Sequence, residues 1–140
     1  MTIIPGTPLD RKWDMLDEGA KESICLQLWV LISKIRTISR PEGPYQCAAD
    51  GSPSQDPMLV DLQEPARPLL SDSALRSRIY ERCIHFGGTL YKDQLLNILP
   101  RLEDSVFTHG DIAPRNVMVD EQSNVTGIPD WETAGWYPDY

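Results

Sequence analysis

Twelve prolines are spread over 140 residues, more than the usual share of about 5%, and six of them fall between residues 40 and 70. Each fixes φ and removes an amide donor, so helices end at or before it. The run from Ala20 to Ile38 escapes both proline and glycine, and Ile24, Leu28, Leu31, Ile35 and Ile38 recur in it at helical intervals. The spacing predicts the strongest helix of the chain, capped by Asp17 and closed before Pro41, with Lys34 and Arg36 near its negative end. Leu26, Trp29, Val30 and Ile32 widen its apolar surface, which predicts burial on more than one side and places Trp29 in the core.

The remaining elements are short. Met1 to Ile4 is an apolar run ended by Pro5-Gly6. With nothing before it to pair with, it suggests a chain that begins inside a larger fold. Leu9, Trp13 and Leu16 share one face of an expected short helix, with Thr7 or Asp10 as cap. Residues 40–70 read as loop, except that Asp50-Gly51 predicts a hairpin turn pairing Tyr45 to Ala48 with the residues after it. Ser71 or Asp72 caps a helix running to about His85, with Leu75, Ile79 and Cys83 four apart, and Gly87-Gly88 breaks it. A last helix is expected over Tyr91 to Leu99, closed by Pro100. His85, beside Phe86 at a helix end, reads as a surface or capping histidine.

The length suits one domain with a real core. A net charge of -8 excludes nucleic-acid and anionic-membrane partners, which require a basic surface, and is compatible with a cationic small molecule. The acid is concentrated: from His109 onward six acidic residues stand against Arg115 alone, a net of -5. Such an excess suits a divalent cation or, more blandly, a solvated tail. Cys25, Cys47 and Cys83 are odd in number and lack zinc-site spacing, so reduced thiols in a cytoplasmic protein are expected. Residues 1–20 show no signal peptide, and no window approaches the ~18 apolar residues needed to span a membrane.

The chemistry concentrates between Val106 and Glu132. Apolar runs at Val106-Phe107 and Val117-Met118-Val119 flank a polar loop holding His109, Asp111 and Asn116, and a third run, Val125 to Ile128, leads to Asp130. Phosphoryl transfer to an alcohol needs a hydroxyl held in line, its proton accepted, and phosphate charge neutralised. In this reading Asp111, at the loop apex, accepts the substrate proton. Asn116 offers a neutral oxygen, and Asp130 a carboxylate, to magnesium. His109 anchors the loop backbone, and Gly110 permits a backbone angle that other residues resist. Pro114 stiffens the loop. Arg115 reads as an exposed arginine beside acids, with phosphate contact as the alternative. For the letters D-x-x-x-x-N and a later Asp alone, chance is a serious rival.

The full string reduces that rivalry. H-G-D-I-A-P-R-N followed by I-P-D-W-E-T-A-G-W-Y-P-D-Y resembles the C-terminal lobe of the aminoglycoside phosphotransferase and choline-kinase-like family. The family pattern is H-G-D-hydrophobic-x-P-x-N and then D-W-E-x-A-G-x-x-P. The resemblance implies a helix-dominated α+β lobe of a protein-kinase-like fold, with a small β-hairpin carrying the catalytic loop. It implies Asp111 as base, Asn116 and Asp130 as ligands of Mg2+, ATP or another nucleoside triphosphate as donor, and a small hydroxylated acceptor. Trp131-Glu132 would be the structural continuation.

I-I-P-G-T-P-L looks like the segment just after the interlobe hinge, which makes residues 1–140 a single partial domain without its nucleotide lobe and final helices. No Gly-rich phosphate loop or suitably placed lysine occurs in the chain. Two alternatives therefore stand beside the enzyme: a non-catalytic fragment, and a small-ligand-binding pseudo-enzyme. Faces meant for absent partners would leave exposed apolar surface that favours association. Pro129 departs from the family pattern, since an apolar residue precedes the metal-binding Asp there and proline withholds an amide from a strand.

Overall fold

A computed structural model describes residues 4–40, 42–54, 56–101 and 104–139. It is a small α+β arrangement with two three-stranded antiparallel sheets. Helix α1 spans Glu18–Ile35, α2 Asp72–His85 and α3 Leu95–Ile98. The first sheet orders β1 (Thr7–Pro8), β4 (Met118–Val119) and β5 (Val125–Gly127), with β4 in the centre. In the second, β6 (Gly135–Pro138) lies between β2 (Cys47–Ala48) and β3 (Ser105–Thr108).

α1 begins where its sequence demands: the Asp17 carboxylate accepts the Ala20 amide at 2.7 Å, which satisfies one orphan donor of the first turn. Its burial differs from expectation. Ile24 is its one fully buried residue, packed with Leu9, Val117 and Val119, while Leu26, Trp29 and Val30 are 61%, 60% and 51% exposed. Only one stripe of α1 meets the first sheet, because that sheet is three short strands and covers no more than one face. α2 is capped by Ser71, whose hydroxyl accepts the Ala74 amide at 3.2 Å. It rests Leu75 against Tyr45 and Leu69 in a second core.

Three further expectations are corrected. The Leu9–Leu16 segment forms two 3₁₀ turns rather than an α-helix: Leu9 is drawn into the sheet by donating to the Val117 carbonyl at 2.8 Å, and the following bonds are three residues apart. Asp50-Gly51 does make a turn, with Gly51 donating to the Ala48 carbonyl and Ala48 to the Ser52 carbonyl, both at 2.9 Å, but the pairing stops there and no hairpin strand follows among the described residues. Cys47 and Ala48 pair with Trp136 and Gly135, and Gln46 bridges Leu69, since those apolar partners bury the strand where the turn residues could not. Within the expected span from Tyr91 to Leu99 only Leu95–Ile98 is α-helical, and Ile98 stays exposed, so no core holds a longer helix there. Helix still outweighs strand, as expected, although only α1 and α2 exceed one turn among the described residues.

The apolar start finds a partner within the chain. Ile4 packs against Gly127 of β5, and Thr7 and Pro8 pair with Val119 and Met118. Met1 to Ile3 lie outside the described residues. His85 is exposed, edge-on to Phe86, as its position implied.

Candidate active site

β3 ends at Thr108, and the next residue turns the chain inward. His109 is fully buried. Its Nδ1 accepts the Asp111 amide at 3.3 Å, so the ring proton sits on Nε2, which donates to the Pro129 carbonyl at 2.9 Å. The ring also packs 4.4 Å from Trp131, centroid to centroid. One side chain thus ties the loop of Asp111 to the segment that carries Asp130.

Gly110 follows with φ +88°, and a Cβ there would stand 2.6 Å from the Thr133 carbonyl oxygen. Thr133 completes the contact by donating its hydroxyl to the His109 carbonyl at 3.2 Å. No side chain but hydrogen fits that approach.

Asp111 is half-buried and heavily engaged. Asn116 donates its amide nitrogen to Asp111 Oδ2 at 2.8 Å and to the Asp111 carbonyl at 3.1 Å. Arg115 donates to both carboxylate oxygens, at 2.8 and 2.6 Å. The 3₁₀ turn Pro114–Asn116 makes this possible, because its tight winding returns the chain toward the loop apex just before β4. Arg115 is therefore both exposed and paired with the neighbouring acid.

Asp130 stands apart from that cluster, exposed and at φ +68°, a left-handed conformation that aspartate tolerates better than most residues. Among the described residues no hydrogen bond joins it to Asp111 or Asn116; the link runs through Pro129 and His109. Pro129 lies beyond the end of β5 at Gly127, so its missing amide costs the ladder nothing and its carbonyl anchors His109. Trp131 folds back over Phe107 and His109 and donates its indole N–H to the Ile128 carbonyl at 2.6 Å. Thr133 and the Pro129 carbonyl had no signal in the sequence, whereas the four-residue spacing of Asp111 and Arg115 did.

A family model described as the phosphotransferase enzyme family matches residues 1–138. The chain belongs to this family. Neither a curated protein nor a solved structure matches it significantly. Membership points to phosphotransferase chemistry in general.

The donor set suits a hard cation. Asn116 spends its amide nitrogen on Asp111 and keeps its oxygen, and Asp130 presents an exposed carboxylate. Among the described residues no three His, Cys, Asp or Glu side chains converge. Magnesium accepts a site of one or two protein oxygens, because it retains waters and takes phosphate oxygens for the rest. No described helix is long and apolar enough to cross a membrane.

Proposed function

We propose that this phosphotransferase moves the γ-phosphoryl group of ATP, or of another nucleoside triphosphate, to a hydroxyl of a small molecule, with residues 1–140 acting as the catalytic-loop lobe of a kinase-like fold. The observation that carries the reading is the Asn116–Asp111 hydrogen bond inside a loop locked by His109. It orients one carboxylate through the Asn116 nitrogen and leaves the Asn116 oxygen for another partner.

In this mechanism the acceptor hydroxyl lies against Asp111. Its oxygen forms a bond to the γ-phosphorus as the bond to the β,γ-bridging oxygen breaks, and the nucleoside diphosphate leaves with that electron pair. The hydroxyl proton passes to the Asp111 carboxylate. Asn116 and Asp130 would hold Mg2+, which supplies charge neutralisation on the phosphates. Arg115 and Asn116 take three of the about four lone-pair positions of the Asp111 carboxylate, so release by Arg115 frees it to accept the proton, and the guanidinium then suits a phosphate. The local acidity is compatible with a cationic acceptor, and the three free cysteines with a reducing cytoplasmic setting.

Calorimetry with magnesium and ATP tests the reading directly. Binding at millimolar nucleotide or tighter is expected, together with acceptor-dependent turnover that falls about 10²–10⁴-fold in Asp111→Ala. Turnover surviving that substitution removes Asp111 from the role of base. A second reading, capture of a small polar ligand without transfer, is favoured by the double engagement of Asp111 by Arg115 and Asn116. Ligand binding with no nucleotide binding would select it.

A further inference from the structure

Gln46 is 2% exposed, yet neither its side-chain oxygen nor its nitrogen has a hydrogen-bond partner among the described residues. Native proteins leave few buried polar groups in that condition. Its backbone is well held: the amide donates to the Leu69 carbonyl at 3.1 Å, between the buried Tyr45 and Cys47. The carboxamide therefore cannot withdraw to solvent by a shift of the strand.

Gln46 also stands in the wall of two cavities, and the larger, about 400 Å³, lies between α2 and the second sheet. Leu59, Leu75 and Ile79 supply its apolar walls, and Thr108 and Gly110 close it on the side of the catalytic loop. That volume falls in the range of small-molecule sites. The charged groups at this cavity already have partners. Arg36 is paired with Asp139 at 2.6 Å, and the Asp56 carboxylate accepts the Met58 amide at 2.8 Å. The polar atoms buried at this cavity with no partner among the described residues are neutral, the amide nitrogen and oxygen of a single carboxamide whose terminal torsion is broad and soft.

We propose that this cavity binds the non-reacting end of the phosphoryl acceptor, an apolar body bearing one uncharged donor–acceptor group such as a carboxamide, and that the Gln46 carboxamide, covered in the ligand-free protein, turns into the cavity to recognise that group. The acceptor role rests on the reading of Asp111 as base; the recognition rests on the cavity and on Gln46 alone.

Acetanilide, an aromatic ring with one secondary amide, is the probe, and propiophenone, similar in shape but without the N–H, is its control. In ¹H–¹⁵N correlation spectra acetanilide is expected to shift the Gln46 side-chain amide and the backbone signals of Thr108 and Gly110. It should bind the natural chain roughly tenfold or more tighter than Gln46→Met, a contrast that propiophenone shows weakly. Without ligand, Gln46→Met should melt at a higher temperature, because it removes an unpaired buried amide while keeping side-chain length. Absence of binding, equal affinity in the two proteins, shifts confined to another surface, or a lower melting temperature for Gln46→Met would each overturn the proposal. Asp111→Asn should bind the probe like the natural chain. If transfer proves absent while Gln46-dependent binding persists, only the word acceptor is lost. If transfer is present and binding ignores Gln46, the pocket alone is wrong.

Discussion

At Gly110 two constraints meet on one Cα: a left-handed φ of +88° and a Thr133 carbonyl oxygen 2.6 Å from where a Cβ would stand. Gly110→Ala is expected to lower unfolding free energy by about 1–3 kcal/mol, read as a lower urea midpoint, and to reduce turnover by displacing Asp111. An unchanged midpoint would mean that the loop does not hold this backbone in solution. The glycine itself was legible beforehand, since a glycine between a histidine and an acid in a tight loop implies an unusual backbone angle. The oxygen it makes room for was not, because Thr133 lies 23 residues further on. His109 divides the same way. Its bond to the Asp111 amide is local, whereas its bond to the Pro129 carbonyl spans 20 residues and exists only because β5 returns beside the loop. Pro129, a blemish by strand rules, turns out to lie past the strand's end.

Among the described residues, α2 and the loop before it form the most heavily ionic unit. The Asp61 carboxylate is almost fully buried, takes two hydrogen bonds from the Arg67 side chain at 2.8 and 2.9 Å, and sits 2.7 Å from the Arg78 guanidinium. Glu81 closes the network on Arg67, and Arg78 also donates to the Leu59 and Arg67 carbonyls. Arg67, hydrogen-bonded to it, holds the Asp61 carboxyl far below the usual carboxylate range. A folded-state value below the unfolded value of about 3.9 means that the charge on Asp61 contributes stability above that pH. The contribution drains away as pH falls toward the folded-state value. Urea midpoints measured from pH 6 down to pH 2.5 should therefore fall steeply below about pH 4, and Asp61→Asn should be less stable at pH 6 with a flatter acid limb. Parallel acid limbs in the two proteins would place the titrating group elsewhere. The helix was readable from Ser71 and the Leu75, Ile79, Cys83 spacing, but its burial of Arg76 and Arg78 was not. Arginine on a helix reads as solvent-facing until a carboxylate and a row of loop carbonyls are brought to meet it.

Across the whole molecule the outer face of α1 stands uncovered, with Leu26, Trp29 and Val30 exposed together. Concentration-dependent association is the expected consequence, and Trp29→Ser should shift the sedimentation profile toward the smaller species; a single species of unchanged size in both proteins would show the face to be inert. This surface marks the limit of periodicity as a guide. A wide apolar stripe states that burial is favourable, and whether anything arrives to provide it depends on the other elements. The same division runs through the chain. Short-range physics, legible in the residues alone, determined where α1 and α2 begin, that Gly87-Gly88 follows the end of α2, and that Asp111 and Asn116 share one tight loop. Only the tertiary structure decided that β6 slots between β2 and β3, that Gln46 is sealed without a partner, and that Asp130 is tied to the loop through His109. Those depend on strand pairings across tens of residues, which are selected by mutual burial and by satisfaction of backbone hydrogen bonds, and no local pattern encodes which partner is present.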